Sequence, residues 1–163
     1  TLIKAIQNKI QIYCAHTNLD VAPNGIATRL ANIIGLINID TQHDFVKIGE
    51  LEKTIDLNSF IKTLKTRLNL DKVKVINPSG ITSVKKVALC PGSGGEFANK
   101  IDADIYITGD IKYHTAIEAE NIVLIDAGHF ETERIILPVV KDYLADPELE
   151  VIIAEEKHPW EFI

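Results

Sequence analysis

Three short stretches of this chain gather the residue types that could do chemistry. In HTNLD, His16 and Asp20 lie four residues apart; in GDIKYH, Asp110 and His114 do; in AGHFETE (127–133), His129 and Glu133 do. On helical backbone that spacing puts both side chains on one face, so the pair can point at one ion or pass one proton. A single pair carries little weight, because a histidine and a carboxylate at this spacing are also common on solvated helix faces. Repetition changes the weight. Each pair follows an apolar, β-rich run: IQIYCA (10–15), IYIT (105–108) and NIVLID (121–126). Ligands of open α/β sheets bind beyond the carboxyl ends of the strands, so the three turns are expected to bring their imidazoles and carboxylates into one crevice. Imidazole with carboxylate oxygen suits zinc, manganese or iron(II), not a thiolate site.

Several residues also have plainer readings. His16 fits a core imidazole bonded to a carbonyl, and Asp20 fits a cap on the turn VAPNG. Asp110 fits the N-cap of the helix that contains His114 better than it fits a ligand. His43 and His158 follow no such pattern and are expected at the surface, and Trp160 is expected to pack or to meet another subunit. The loop PGSGG (91–95) follows a strand and precedes a helical stretch, where backbone N–H groups can cradle an anion. It lacks the Lys-Ser/Thr ending of a phosphate loop, and a tight turn needs glycines in any case. Nothing assigns Ser93 a base that would make it a nucleophile.

The elements that must hold these residues alternate. TLIKAIQNK opens with helical spacing, and IATRLANIIGL (26–36) repeats apolar residues at three and four with Gly35 as a stop. Residues 44–56 read as a short strand and a loop. LNSFIKTLKTRLNL (57–70) is an amphipathic helix with Asn58 or Ser59 as cap. KVKVIN (72–77), KKVALC (85–90), DIYITGD (104–110), NIVLID and VIIAEE (151–156) read as strands, while IKYHTAIEAE (111–120) and ETERIILPVVKDYLAD (131–146) read as helices, the latter kinked or starting late at Pro138. Strands alternating with short helices predict an α/β domain with a largely parallel or mixed sheet. Residues 1–163 are expected to form a single unit, with a two-lobed build open.

Composition bounds the partners. The chain has 163 residues, 46% hydrophobic and 25% charged, with a formal charge of -6, which disfavours nucleic acid bound through a broad basic surface. The most basic stretch, 62–86, reads as a solvated helix face and strand ends. No run approaches a membrane span and no secretory signal opens the chain, so the cytoplasm is the default expectation. Cys14 and Cys90 read as buried thiols in a reducing compartment. The chain opens on Thr1 and contains no methionine, so it is expected to be part of a longer product.

Together, YCAHTNLDVAPNGIATRLANIIGL, ALCPGSGGEF and DIYITGDIKYHTAIEAENIVLIDAGHFETE resemble the Nif-three-like family, the GTP cyclohydrolase I type 2 homologs, from about residue 10 to the terminal HPWEFI. The resemblance implies two related α/β lobes, a toroidal homohexamer and two divalent metal ions per subunit. By position, Asp20 matches a ligand to one metal, His129 a ligand to the other, and Glu133 the carboxylate that bridges them. His16 and His114 match histidines beside the site and are assigned proton transfer. Family members carry an earlier segment with two adjacent histidines that complete the metal pair. This chain thus corresponds to roughly the last two-thirds of a member, and its three ligands are fewer than two ions need.

Two functions follow from the resemblance. One is a metal-dependent hydrolase acting on a nucleotide or related small substrate. The other is a non-catalytic, metal-holding ring protein with a regulatory role. Both need the same ligands, so only turnover separates them.

Overall fold

In the computed structural model, residues 1–156 are described, and the expectations for His158, Trp160 and HPWEFI lie outside them. The described residues share one six-stranded mixed sheet, in the order β1-β2-β4-β5-β6-β3. Its strands are β1 (Ile37–Gln42), β2 (Val46–Asp56), β3 (Lys74–Ile76), β4 (Ser83–Leu89), β5 (Ile105–Thr108) and β6 (Val123–Asp126). β4, β5 and β6 run parallel at the centre, while β2 on one flank and β3 on the other pair antiparallel. The helices are α1 (Leu2–Gln7), α2 (Thr17–Asp20), α3 (Ile26–Ile34), α4 (Leu57–Leu68), α5 (Tyr113–Ile117), α6 (His129–Glu133) and α7 (Leu137–Tyr143), with short 3-10 turns at Gly95–Lys100 and Arg134–Ile136.

The central strands are apolar on both sides because both sides are covered, as parallel strands require. Val87, Leu89, Ile105, Ile107, Val123 and Ile125 turn one way, onto Leu30, Ile34, Phe60 and Leu64 of α3 and α4. Ala88, Tyr106 and Leu124 turn the other way, onto Val46, Ala98, Ala119 and Ile122. The helices stop where their chemistry says they should. Gly35 ends α3 in the left-handed region, at φ 80°, and Asn69 ends α4 in the same region at φ 53°.

The structure corrects several expectations. IQIYCA forms no strand: Ile10, Ile12 and Tyr13 stand exposed, and a run with strand propensity but no neighbour to bond to remains irregular. Cys14, in that run, is exposed, whereas Cys90 is buried as expected. VIIAEE is likewise not a strand. Residues 44–56 are no short strand and loop but most of an 11-residue strand, bulged between Glu50 and Ile55, and INIDTQ before it is β1. The cap of α4 is Asp56, whose carboxylate accepts the Ser59 N–H at 2.9 Å, not Asn58 or Ser59. Pro138 sits in the first turn of α7, so the helix starts late there; the long helix expected over 131–146 is broken by the 3-10 turn before it.

Tyr106 links the core to the glycine loop. It is fully buried, and its hydroxyl donates to the Gly94 carbonyl at 2.7 Å. Replacing it by Phe keeps the ring and leaves that carbonyl the Phe97 N–H alone, at 3.1 Å, which should cost about 1 kcal/mol in a denaturant titration. An unchanged midpoint would mean the bond contributes nothing.

Candidate metal centre

The centre is built by turns at the carboxyl ends of β5 and β6. β5 ends at Thr108 and β6 at Asp126, which are partners in the parallel ladder and both buried. Buried polar side chains must find hydrogen bonds, and these find theirs in the turns. The Asp126 carboxylate accepts the Gly128 N–H at 3.1 Å and the Ile111 N–H at 3.2 Å, and pairs with Lys74 at 2.9 Å. One carboxylate thus fixes the turn after each strand. The Thr108 hydroxyl accepts the Gly94 N–H at 2.8 Å and donates to the Gly92 carbonyl at 3.3 Å.

The loop Pro91–Gly95 closes against these turns. The Gly92 carbonyl accepts the Gly109 N–H at 2.7 Å, and the Gly92 N–H donates to the Thr132 hydroxyl at 3.0 Å. The loop, read as a tight turn that could also cradle an anion, spends the N–H groups of Gly92 and Gly94 on two threonines. What the glycines supply is closeness. A Cβ at Gly109 would meet the His129 nitrogen at 2.5 Å and the Gly92 carbonyl oxygen at 2.8 Å. A Cβ at Gly92, which also has φ 68°, would collide with Glu133 Oε1 and lie 3.3 Å from His129 Nε2.

That gap faces the polar cluster. His129 opens α6 and Glu133 closes it, and His129 Nε2 lies 3.1 Å from Glu133 Oε1. On its other side His129 Nδ1 lies 2.7 Å from Asp110 Oδ2. Asp20, the last residue of α2, and His16, the residue before that helix, complete the group: their charges act on Glu133, and those of His16 and His129 act on Asp20. Burial raises the pKa of Asp20 above the ordinary carboxylate value, against the pull of the two histidines. Burial also raises Glu133, and the charge of Asp20 adds to it while His129 opposes. Burial works to lower His129, but the Asp110 hydrogen bond and the charge of Glu133 outweigh it, and the net shift is upward.

Of the five residues singled out in the sequence, His129 and Glu133 are in direct contact, and His16 and Asp20 lie near enough for their charges to act on Glu133. His114 stands apart, exposed on α5 with its ring edge-on to Tyr113 at a centroid distance of 5.8 Å. Asp110 corrects its expected role. It caps nothing, since α5 begins after Lys112 without a side-chain cap, and its carboxylate goes to His129. Asp110 as a partner of His129, Thr108, Asp126 and Thr132 as turn locks and Gly92 as the open wall were not foreseen. A polar residue ending each apolar strand was the available signal.

The donor set fits a divalent metal in kind. Asp20, His129 and Glu133 offer the oxygen and imidazole donors that zinc, manganese and iron(II) take, and the gap at Gly92 keeps room beside two of them. Cys90, just before the loop, is no thiolate donor, because burial pushes its thiol up to about 11. In number the set falls short: among the described residues no three His, Cys, Asp or Glu side chains already stand in ligand geometry around one point.

A mixed α/β sheet with a histidine–carboxylate cluster beyond its parallel strands defines a class of α/β protein in which bound ligands lie outside the carboxyl ends of the strands. Comparison with known proteins narrows it. The family model Duf34/NIF3 (NGG1p interacting factor 3) matches residues 1–159, and the chain belongs to that family. A GTP cyclohydrolase 1 type 2 homolog of Campylobacter jejuni is 33% identical over 159 residues, covering 96% of this chain and 64% of the relative. A protein NIF3 homolog of Schizosaccharomyces pombe is 34% identical over 151 residues, covering 82% of this chain and 54% of the relative. Among solved structures, reduced HcgD from Methanocaldococcus jannaschii superposes with a TM-score of 0.77 at 28% identity, covering 88% of this chain and 60% of that one. The chain therefore spans less than two-thirds of the length of these relatives.

The raised pKa values make a test possible. A group that holds its proton more tightly when folded contributes stability below its unfolded pKa and loses it as the pH rises through the folded one. Asp20 shifts that way, so its charge costs stability in the chelator-treated protein above the ordinary carboxylate range. The D20N variant should match the parent at about pH 4 and exceed its Tm by pH ~7, by no more than about 3 °C, the scale of ~1 kcal/mol in a chain of this size. A variant less stable than the parent at neutral pH would contradict this.

Proposed function

We propose that this chain carries the larger part of a dinuclear divalent-metal site, and that the whole protein is a metal-dependent hydrolase of a nucleotide or related small substrate. The observation that carries the reading is the pairing of His129 with Glu133 beside Gly92, with Asp20 near enough for its charge to act on both. Asp20 would hold one ion, His129 the other, and Glu133 both. Bound ions of this kind would lower the pKa of a water toward neutrality and polarise the bond under attack.

The chain's own groups supply the rest. Asp20 and Glu133 bring negative charge into a half-buried place where it is costly without a cation. His16, whose charge acts on both carboxylates, would take or give a proton there. The substrate class is suggested by relatives bearing the name GTP cyclohydrolase 1 type 2 homolog. A homohexamer belongs to the reading. It is supported by the exposed apolar side chains of Leu2, Ile3, Ile6, Ile10, Ile12 and Tyr13, which a partner surface would cover.

A second reading, a non-catalytic protein that holds metal, needs the same ligands and differs only in turnover. Elemental analysis of the purified chain, and of a version extended to the length of its relatives, should find zinc, manganese or iron, with more in the longer protein. Turnover of a nucleotide panel including GTP should depend on that metal, and Glu133→Ala should abolish it while the circular dichroism spectrum stays unchanged. Metal retained without turnover on any member of the panel would select the second reading. Absence of metal from both proteins would sink the first and second alike.

A further inference from the structure

We propose that Asp110 is a positioning residue for His129: it holds the imidazole as the Nδ1–H tautomer, so that Nε2 is the free donor atom aimed toward Glu133. The inference rests on the reading of His129 as a metal ligand and extends it to a residue that never touches the metal.

The geometry is specific. His129 Nδ1 and Asp110 Oδ2 are 2.7 Å apart, the length of a charge-assisted hydrogen bond. Carboxylate oxygens face both ring nitrogens, Asp110 at 2.7 Å and Glu133 at 3.1 Å, and the shorter contact is the one that holds the single proton of a neutral ring. That leaves the lone pair on Nε2, the atom 3.1 Å from Glu133 Oε1 and 3.3 Å from where a Gly92 Cβ would stand. Histidine ligands commonly donate their second ring N–H to a carboxylate, which fixes the tautomer and raises the basicity of the donor atom.

The backbone around Asp110 points to the same role. Asp110 has φ 52°, in the left-handed region that costs a non-glycine residue free energy and that Asp tolerates better than most. The Ile111 N–H that follows is tied to buried Asp126, and the preceding Gly109 is wedged against the His129 nitrogen. The turn is thus held from both sides in a conformation that presents the carboxylate to the ring. No helix cap repays that conformation, because α5 starts three residues later without a side-chain cap.

The test uses D110G, which suits a positive φ and keeps the turn foldable, and D110N, which keeps a carbonyl acceptor but no charge. Long-range nitrogen–proton correlation spectra of the chelator-treated proteins, at about pH 9 where the ring is neutral, read the tautomer directly. The parent should show His129 protonated at Nδ1; D110G should shift the population toward Nε2–H, with D110N between them. Zinc(II) and cobalt(II) affinities, measured by competition with a chromogenic chelator, should fall about 10–100-fold in D110G and less in D110N. An unshifted tautomer in D110G overturns the proposal, whatever the metal result. A shifted tautomer in a parent protein that takes up neither metal upholds the hold of Asp110 on the ring and overturns the metal reading instead.

Discussion

The parallel pairing of β4, β5 and β6 is the constraint on which the rest depends. Because the three strands run the same way and lie side by side, their carboxyl ends finish along one edge of the sheet. The register puts Thr108 beside Asp126, two polar residues at the limit of a fully apolar stretch. Burying them obliges the chain to bring N–H groups to them, and the nearest belong to the turns that follow. The conformations of those turns are thus dictated from beneath. The glycine loop then closes over them because Gly92 and Gly109 have no side chains to keep the three segments apart.

Charge is the second theme. Two carboxylates that burial pushes toward their neutral forms share a small space with two imidazoles, without an arginine or lysine among the interactions that shift them. Lys74, at the strand ends, is spent on Asp126 beneath the turn. A cluster optimised for the stability of the bare chain would not be composed in this way. Strain and unfavourable charge gather where a function demands them and are tolerated because the core elsewhere carries the surplus.

Much of this was legible in the sequence, and the reasons for what was not are physical. The central strands announced themselves because both of their faces are buried, which leaves continuous apolar runs. The helices α3 and α4 showed their period, and their stops at Gly35 and Asn69 follow from backbone preference. His129 and Glu133 could be paired from spacing alone, since both lie on one short helix. IQIYCA misled because propensity measures fitness for a pleated surface and says nothing of whether a neighbouring strand is there. The partnership of Asp110 and His129 was hidden because it joins turns 19 residues apart in the chain. Capping was the local use for that aspartate, and only the register of β5 against β6 shows that the cap is unused. The role of Gly92 was invisible for a similar reason: a missing side chain is informative only when the atoms that would strike it are known.

The residues of the cluster sit on pieces of chain five residues long or shorter, set on a sheet that none of them helps to form. Asp20 closes a four-residue helix, His129 and Glu133 span a five-residue one, and Asp110 lies in a bare turn. Framework and chemistry are thereby separable inheritances. A substitution at one of these positions leaves the strands and their packing intact, so a lineage can alter the polar cluster without first rebuilding the scaffold. The same economy has a reverse side. With so little structure of its own, the cluster owes its shape to Thr108, Asp126, Thr132 and the glycines, and drift at those unassuming positions would erase the chemistry while every participating side chain remained in place.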